Sequence, residues 1–327
     1  MSEIEIKIRT LTPLWTADVN RECKSIKERG IIGSLRWWYE ALVRGLGGYA
    51  CDPTSDRKCE LKQDKFNKAI KSGKSIQGAL DEQICPACQL FGCTGCRKRF
   101  RLETVGLNDD DFIQGRGQKS GLKAGKEISL KFTLLSEIRP EEKWLFKITL
   151  WIIENYGAVG GRTTWKPNSS WGTDYGLIKI SDYNGIQKWD SESTKEEVLN
   201  WLKNNREKLR KENNDQWFNF ELYWIIEGQY LNKDQMNNLL KLVRVNTKRV
   251  IPQKGTENDE FLNFLRGKQG ESKKIFSFDA KYNNPKPFVF GYVRNDEELG
   301  RIKEKLRDVG INIDNLKTGE EIMGGLK

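Results

Sequence analysis

The chain opens on an alternation of apolar and charged positions. Three isoleucines in residues 3–12 stand between charged neighbours, which predicts a half-buried strand. The period changes to 3.6 residues over 33–46, where leucine, tryptophan and tyrosine side chains share one face and predict an amphipathic helix. Residues 48–84 are polar and interrupted by glycine and proline, so they are predicted to be an insertion after this helix.

A second helix is predicted from Pro140 to Gly157, because proline favours the first turn of a helix and glycine its end. Further strands are predicted at 100–105, 127–138 and 175–182. The polar, glycine-rich segment between the first two of these is predicted to be a loop. The order strand, helix, strand, strand, helix, strand predicts a ferredoxin-like domain over 1–185, the arrangement also found in RNA-recognition motifs.

The second half of the chain is less regular. Helices are predicted at 196–209, 232–244 and 296–309, and strands at 218–226 and 288–295. This mixture predicts a second α+β domain over 186–327, diverged from the first. The predicted fold class is therefore α+β, with two ferredoxin-like (RRM-like) domains.

Composition narrows the partners. Lys and Arg number 56 against 46 Asp and Glu, a formal charge of +10, which favours a polyanion such as nucleic acid or a membrane surface. The alternative is a basic soluble protein without such a partner. The sequence shows no secretory signal and no apolar run that could span a bilayer, and its seven cysteines are an odd number. We therefore expect a reducing, cytoplasmic setting.

The chain contains no histidine. Mechanisms that need an imidazole base, nucleophile or metal ligand are excluded, and with them the serine and cysteine triads. Any catalysis would depend on carboxylates, Lys, Tyr, Ser or Cys.

A glycine-rich segment, "GAVGGRTTWKPNSSWGTDYG", covers 157–176. It follows a helix and precedes a strand, the reverse of a nucleotide-binding P-loop, and it lacks the Gly-Lys-Ser/Thr ending. Free backbone N–H groups could still bind phosphate there, helped by arginine and threonine side chains, and two tryptophans could stack on bases. The alternative is a turn that packs on the sheet and binds nothing. The candidate RNA-binding residues of this loop are Gly160, Gly161, Arg162 and Thr163.

Further basic residues lie in two runs and on the first helix. "RKRFR" (97–101) interleaves an aromatic residue with cations, a pattern suited to RNA on a sheet or its flank. The second run covers 243–254. A solvated face is the alternative for either run, and Arg36 could simply pair with Glu40. The candidates for RNA contact are Arg36, Arg44, Arg97, Lys98, Arg99, Arg101, Lys248 and Arg249.

The cysteines contain two possible metal sets. Paired C-x2-C units are typical of zinc sites, and thiolate is a preferred zinc ligand. One set is Cys85, Cys88, Cys93 and Cys96, with only four residues between its pairs. The other is Cys51, Cys59, Cys85 and Cys88, with wider spacing. The alternative is buried thiols without metal, and the sequence does not decide between these possibilities.

Three consecutive carboxylates, Asp109, Asp110 and Asp111, could bind magnesium for RNA cleavage. Such acidic runs are usually solvated loops. A metal-dependent endoribonuclease is therefore kept as an alternative function.

Several motifs together resemble a known family. "GAVGGRTTW" followed by "YGLIKI" is similar to the G-x-x-G-x-R-T loop of the RAMP superfamily of CRISPR-associated proteins. "TLTPLWTADVN", "GSLRWWYEALVRGLGGYACDPT" and "CPACQLFGCTGCRKRFRL" resemble the head-end RAMP subunit of the type III-B (Cmr) effector. The resemblance covers mainly residues 3–182.

The resemblance implies a non-catalytic subunit of an antiviral RNA-targeting complex. Such a subunit would contact the 3′ region of the guide RNA, the target RNA or both, and neighbouring RAMP subunits. A scaffold that touches only proteins is the remaining alternative. A structural zinc ion is the one cofactor that the sequence suggests.

Overall fold

The computed structural model describes residues 3–20, 22–113, 120–163, 174–187, 189, 192–209, 211–212, 218–246, 250–268, 271–279 and 286–326. The helices within them are α1 (Glu28–Gly45), α2 (Gln63–Lys71), α3 (Ile76–Asp81), α4 (Pro86–Phe91), α5 (Pro140–Tyr156), α6 (Asn184–Gln187), α7 (Lys195–Leu209), α8 (Lys233–Leu239), α9 (Glu260–Arg266), α10 (Asp296–Asp308) and α11 (Gly319–Gly324). The strands are β1 (Glu3–Thr10), β2 (Phe100–Val105), β3 (Phe112–Ile113), β4 (Gly121–Leu122), β5 (Glu127–Leu134), β6 (Ile178–Asp182), β7 (Tyr223–Glu227), β8 (Leu242–Arg244), β9 (Val250–Pro252), β10 (Ile275–Phe278), β11 (Phe288–Tyr292) and β12 (Leu316–Thr318).

The first sheet is antiparallel, with strand order β2-β5-β1-β6. Its inner face is apolar because β1 and β5 alternate strictly, so that every second residue points into the core. Helices α1 and α5 are the main helices between its strands, and they pack on each other. The predicted order of strands and helices in this half is therefore present in the structure.

The second sheet is also antiparallel and has the order β10-β11-β7-β12. Numbered along the chain within each sheet, both sheets have the order 2-3-1-4. The α+β class is confirmed, and both halves contain an antiparallel sheet with this connectivity. A separate two-stranded ribbon, β8–β9, lies between α8 and α9 in the chain.

Helix α1 joins the two sheets. One continuous apolar core contains Ile6 of β1, Trp38 of α1 and Phe290 of β11. The Trp37 ring stacks on Phe218, with ring centroids 4.3 Å apart, and the Trp38 ring meets Phe218 edge-on. A second, smaller core lies between the second sheet and α8–α10. Of the tryptophan pair of α1, Trp38 is buried and Trp37 half-buried, and together they connect the two halves.

Several predicted elements differ from the observed ones. The helix predicted at 232–244 ends at Leu239, because Lys241 adopts a positive φ of 49° and Leu242 then begins β8. The predicted loop between β2 and β5 contains the β3–β4 ribbon. The polar insertion contains α2 and α3. Among the described helices, none is both long and apolar enough to cross a bilayer.

Candidate functional site

The glycine-rich loop is built around Trp15. The backbone N–H of Gly160 donates to Ser34 Oγ at 2.8 Å, and that of Gly161 donates to the Trp15 carbonyl oxygen at 2.8 Å. The prediction that these N–H groups are free to bind phosphate is therefore wrong. Glycine is needed for close approach instead: a Cβ on Gly161 would lie 2.6 Å from the Trp15 ring.

Arg162 covers the Trp15 ring. Its guanidinium carbon lies 4.1 Å from the Trp15 ring centroid and 5.6 Å from that of Tyr175. The Trp15 indole N–H donates to Ser120 Oγ at 3.3 Å. Arg162 has a φ of 67°, a left-handed conformation that costs a side-chain-bearing residue free energy and marks candidate functional positions. Arg162 and Trp15 are both half-buried, so the loop presents an arginine–tryptophan pair at the surface.

The other residues of this loop add less. Thr163 is half-buried beside the arginine–tryptophan pair. The loop tryptophans that were predicted to stack on bases, Trp165 and Trp171, lie outside the described residues. Trp15 itself was not predicted as a site residue. Its contact with Arg162 joins two segments far apart in the chain, which no periodicity reveals.

Three of the predicted RNA-binding arginines have protein partners. Arg44 is buried, and its guanidinium donates to the carbonyl oxygens of Ala50, Cys51 and Phe218. Arg36 is half-buried and pairs with Glu40 at 2.7 Å. Arg99 is buried against Glu142. The structure thus gives all three side chains partners within the protein; Arg44 and Arg99 are buried, whereas Arg36 stays partly exposed.

Arg99 and Glu142 form a buried ion pair. Arg99 NH1 lies 2.8 Å from Glu142 Oε2 and 3.1 Å from the Glu137 carbonyl oxygen. Burial raises the pKa of the Glu142 carboxyl to about 7, against the opposing effect of Arg99. Because this pKa lies above its value in the unfolded chain, the native state binds more protons over that interval, and stability falls as pH rises through it.

Arg99→Met should destabilise the protein more at pH 8 than at pH 5.5. At pH 8 Glu142 would be left as an unpaired buried carboxylate, with an expected loss of about 3–5 kcal/mol. At pH 5.5 Glu142 is largely protonated and needs its partner less. Urea unfolding at both pH values measures the difference. Arg101→Met is the control, because Arg101 is exposed and its loss should change stability by less than about 0.5 kcal/mol. Equal losses for Arg99→Met at the two pH values would contradict a buried pair.

The remaining basic candidates lie nearer the surface. Arg97 is exposed, Lys98 is half-buried, and Arg101 is exposed on β2 and pairs with Glu103 at 2.9 Å. Phe100 points into the core, so it cannot stack on a base. Lys248 and Arg249 lie outside the described residues.

The open face of the first sheet is a mixture of charges. Apart from the exposed Val105, its described outward side chains are acidic, basic or small, and none of them is aromatic. RNA-recognition motifs bind RNA on this face through aromatic side chains. Binding in that mode is therefore not supported. The charged residues of this face are Glu3, Glu5, Lys7, Arg9, Arg101, Glu103, Glu127, Lys131 and Lys179.

A buried cysteine quartet lies beside α1. The sulfur atoms of Cys51, Cys59, Cys85 and Cys88 all lie within 4.8 Å of one another. Cys51 and Cys88 sulfurs are 3.4 Å apart, and those of Cys51 and Cys85 are 3.8 Å apart. All seven cysteines lie in the described part of the chain, and all are free thiols. Of the two predicted sets, the structure assembles the one with wider spacing.

The other predicted set does not assemble, because Cys93 and Cys96 close a tight turn on each other. Their backbones exchange two hydrogen bonds, of 2.9 and 3.0 Å. Both side chains are half-buried, and neither belongs to the group of converging sulfurs. The four residues between Cys88 and Cys93 are the end of α4 and the glycine that follows it.

The quartet has the dimensions of a tetrahedral thiolate site. Zinc–sulfur bonds of about 2.3 Å place the sulfurs of such a site about 3.8 Å apart, close to the separations seen here. Hydrogen bonds from the three other cysteines lower the pKa of the Cys51 thiol, whereas burial raises that of Cys85. Four converging, buried thiols can hold a metal ion such as zinc.

The three consecutive aspartates do not converge on a cation. Asp109 and Asp110 are exposed. The Asp111 carboxylate caps a short helical turn by accepting from the Asn108 N–H, and it pairs with Lys126 at 2.6 Å. This pair and hydrogen bonding lower the pKa of Asp111. Among the described residues, the only metal-type cluster of Cys, Asp or Glu is the cysteine quartet.

Residues 7–165, just under half of the chain, match the model of the RAMP superfamily. This part of the chain is thus similar to the RAMP superfamily, and the match contains α1, the cysteine quartet and the loop through Arg162. No curated protein sequence matches the chain.

Solved structures that match the chain include Cmr1 from Pyrococcus furiosus in its apo form. It is 16% identical with a TM-score of 0.43, and the match covers 90% of this chain and 89% of that one. A chain of the type III-B Cmr-beta assembly with cognate target RNA, AMPPnP and single-stranded DNA is 13% identical with a TM-score of 0.46, covering 93% and 98%. A chain of Cmr-beta bound to cognate target RNA is 12% identical with a TM-score of 0.45, covering 94% and 99%.

Proposed function

We propose that this chain is a non-catalytic, RNA-binding subunit of a type III-B CRISPR effector complex. The observation that carries the proposal is the RAMP superfamily match, whose last residues hold Arg162 on the face of Trp15. The net charge of +10 agrees with a polyanionic partner. In this proposal the chain contacts the 3′ region of the guide RNA, the target RNA or both, and neighbouring RAMP subunits.

Arg162 supplies the proposed RNA contact. An arginine fork can donate to two phosphate oxygens, and its stacking on Trp15 keeps the guanidinium in one plane. The exposed Arg97 and the half-buried Lys98 are the second cationic group in the proposal.

RNA binding should be steeply salt-dependent and largely independent of sequence, because phosphate contacts release counterions and carry no base information. Fluorescence anisotropy with two unrelated single-stranded RNAs measures this. Arg162→Ala should weaken both complexes by about 1–2 kcal/mol and reduce the salt slope by about 0.7. Lys203→Ala, on the exposed face of α7, is the matched control. If Arg162→Ala binds as tightly as wild type at every salt concentration, Arg162 is not an RNA contact.

Assays with the same purified protein and RNAs also test the two alternative functions. A scaffold that touches only proteins would not bind RNA even at low salt. A metal-dependent endoribonuclease would cleave labelled RNA with Mg²⁺ or Mn²⁺, and cleavage would be lost in Asp109→Ala. We expect binding without cleavage. Crosslinking with peptide mapping in the assembled complex would test whether residues around Trp15 meet RNA.

We further propose that Cys51, Cys59, Cys85 and Cys88 hold one structural zinc ion. The convergence of their four buried sulfurs supports the proposal. Zinc in such a site has no open position for substrate. The ion would cross-link the chain just after α1 to the start of α4, and it would thereby fix the insertion against the core. Metal analysis of the purified protein tests the proposal.

A further inference from the structure

A charged stripe on α1 faces the cysteine quartet. It consists of Arg36, Glu40 and Arg44, which are spaced four residues apart and therefore share one side of the helix. Arg36 Nε lies 2.7 Å from Glu40 Oε1, and Arg44 NH2 lies 3.7 Å from Glu40 Oε2. Arg44 and Glu40 are each 4% exposed. Charges this deeply buried need partners beyond each other, because desolvation of an isolated ion is costly.

The two arginines of the stripe have further hydrogen-bond acceptors, which lie at opposite ends of the quartet. Arg36 NH2 donates to Cys88 Sγ at 3.3 Å, and NH1 donates to the Gly92 carbonyl oxygen at 2.8 Å. Arg44 Nε donates to the Ala50 carbonyl oxygen at 3.0 Å, and NH2 donates to that of Cys51 at 3.2 Å. One arginine therefore holds the Cys88 end and the other holds the Cys51 end.

Charge balance explains why cations stand there. A zinc ion with four thiolates carries a net charge of −2, and burying it without compensation would be unfavourable. Arg36 and Arg44 add two positive charges next to it and Glu40 adds one negative charge, so the stripe as a whole, with a net charge of +1, offsets half of that charge. Hydrogen bonds from outside a metal site also fix the orientation of its ligands, and their loss typically weakens metal binding 10- to 100-fold.

We propose that Arg36 and Arg44 are the positioning residues of the metal centre: Arg36 neutralises and orients the Cys88 thiolate, and Arg44 fixes the backbone of Cys51. This inference rests on the proposed zinc site. It gives the two arginines a role that differs from the RNA contact predicted for them. It also links the metal to the second half of the chain, because Arg44 NH1 donates to the Phe218 carbonyl oxygen at 2.7 Å.

The test measures zinc affinity of the full chain by competition with a chromophoric chelator. Arg36→Gln, which removes the charge and the Cys88 contact, is expected to weaken zinc binding about 10- to 100-fold. Arg36→Lys keeps the charge without the fork, so it should recover part of the loss. Arg44→Lys tests the Cys51 end in the same way. Lys203→Ala should bind zinc like wild type.

A second readout separates positioning from general loss of stability. Cobalt substituted for zinc in a tetrahedral thiolate site absorbs visible light, and the sulfur-to-cobalt bands respond to hydrogen bonds at the sulfurs. Arg36→Gln should shift these bands while far-UV circular dichroism shows a folded chain. Wild-type protein without stoichiometric zinc overturns the zinc site itself. Zinc in the wild type, with the same affinity and cobalt spectrum in Arg36→Gln, overturns only the role of Arg36.

Discussion

Purified protein should contain about one zinc per chain, and removing it should lower the melting temperature by at least about 10 °C. Structural zinc sites contribute about 10–16 kcal/mol of apparent binding free energy in small domains, comparable with the whole stability of a typical protein. The quartet lies in the interior core beside α1. Loss of the metal would leave four buried thiols in place of one closed centre and release the chain around Cys59.

Cys85→Ser is the variant that tests this most sharply, because Cys85 is fully buried and stands immediately before α4, at its N-cap position. It should melt like chelator-treated wild type, and chelator should have no further effect on it. Cys96→Ser is the control. Fully folded wild-type protein with substoichiometric zinc, melting identically with and without chelator, would show that the quartet is only a cluster of buried thiols.

The sequence predicted those helices and strands that are marked by residues within or next to the element itself. Helix α5 runs from Pro140 to Tyr156, as the proline at its start and Gly157 at its end indicate. The alternating strand β1 was predicted for the same reason. Helix α1 begins at Glu28, earlier than predicted. The prediction missed its first turn because no side chain caps it, and the sequence therefore carries no start signal there.

Elements that depend on distant partners were not predictable in this way. Strand β8 exists because Val243 pairs with Ile251, and β10 because Phe276 pairs with Phe290. Apolar residues in 232–244 fit a helical period until Lys241 turns the chain. Short strands such as β12 carry too few residues for a period to be recognised.

The candidate site shows the same division. The sequence identified the residue types correctly, but an arginine at i, i+4 spacing from a glutamate can be solvated or buried. Burial of Arg44 is decided by Phe218, which comes from the other half of the chain. The choice of cysteine set likewise depended on whether 93–96 closes on itself. The Arg162–Trp15 pair depended on a contact between segments that the sequence alone does not bring together.

We expect the two halves of the chain to unfold together, because helix α1 packs against both of them. Trp38 is 2% exposed, its indole N–H donates to the Ala158 carbonyl oxygen at 3.0 Å, and its ring fits against Gly157, where a Cβ would lie 2.5 Å away. The same ring contacts Phe218, Tyr223 and Phe290 of the second half at centroid distances of 5.5 to 6.2 Å. Trp38 thus supports the start of the glycine-rich loop and the second sheet at once.

Trp38→Ala is expected to cost about 3–5 kcal/mol, the usual loss for a buried tryptophan that leaves a cavity. Calorimetry and urea unfolding followed by circular dichroism should show one transition, shifted as a whole, because the core is continuous across the two sheets. Trp151→Ala is the control: Trp151 is half-buried on α5 and meets Tyr156 edge-on at 5.3 Å, so the loss of stability in this variant should be smaller.

RNA affinity of Trp38→Ala, measured where the variant is folded, should also fall, since the segment from Gly157 to Arg162 would lose its support. Two separate transitions, only one of them shifted, would instead show that 1–185 and 186–327 fold independently and that the tryptophan pair is a surface contact between them.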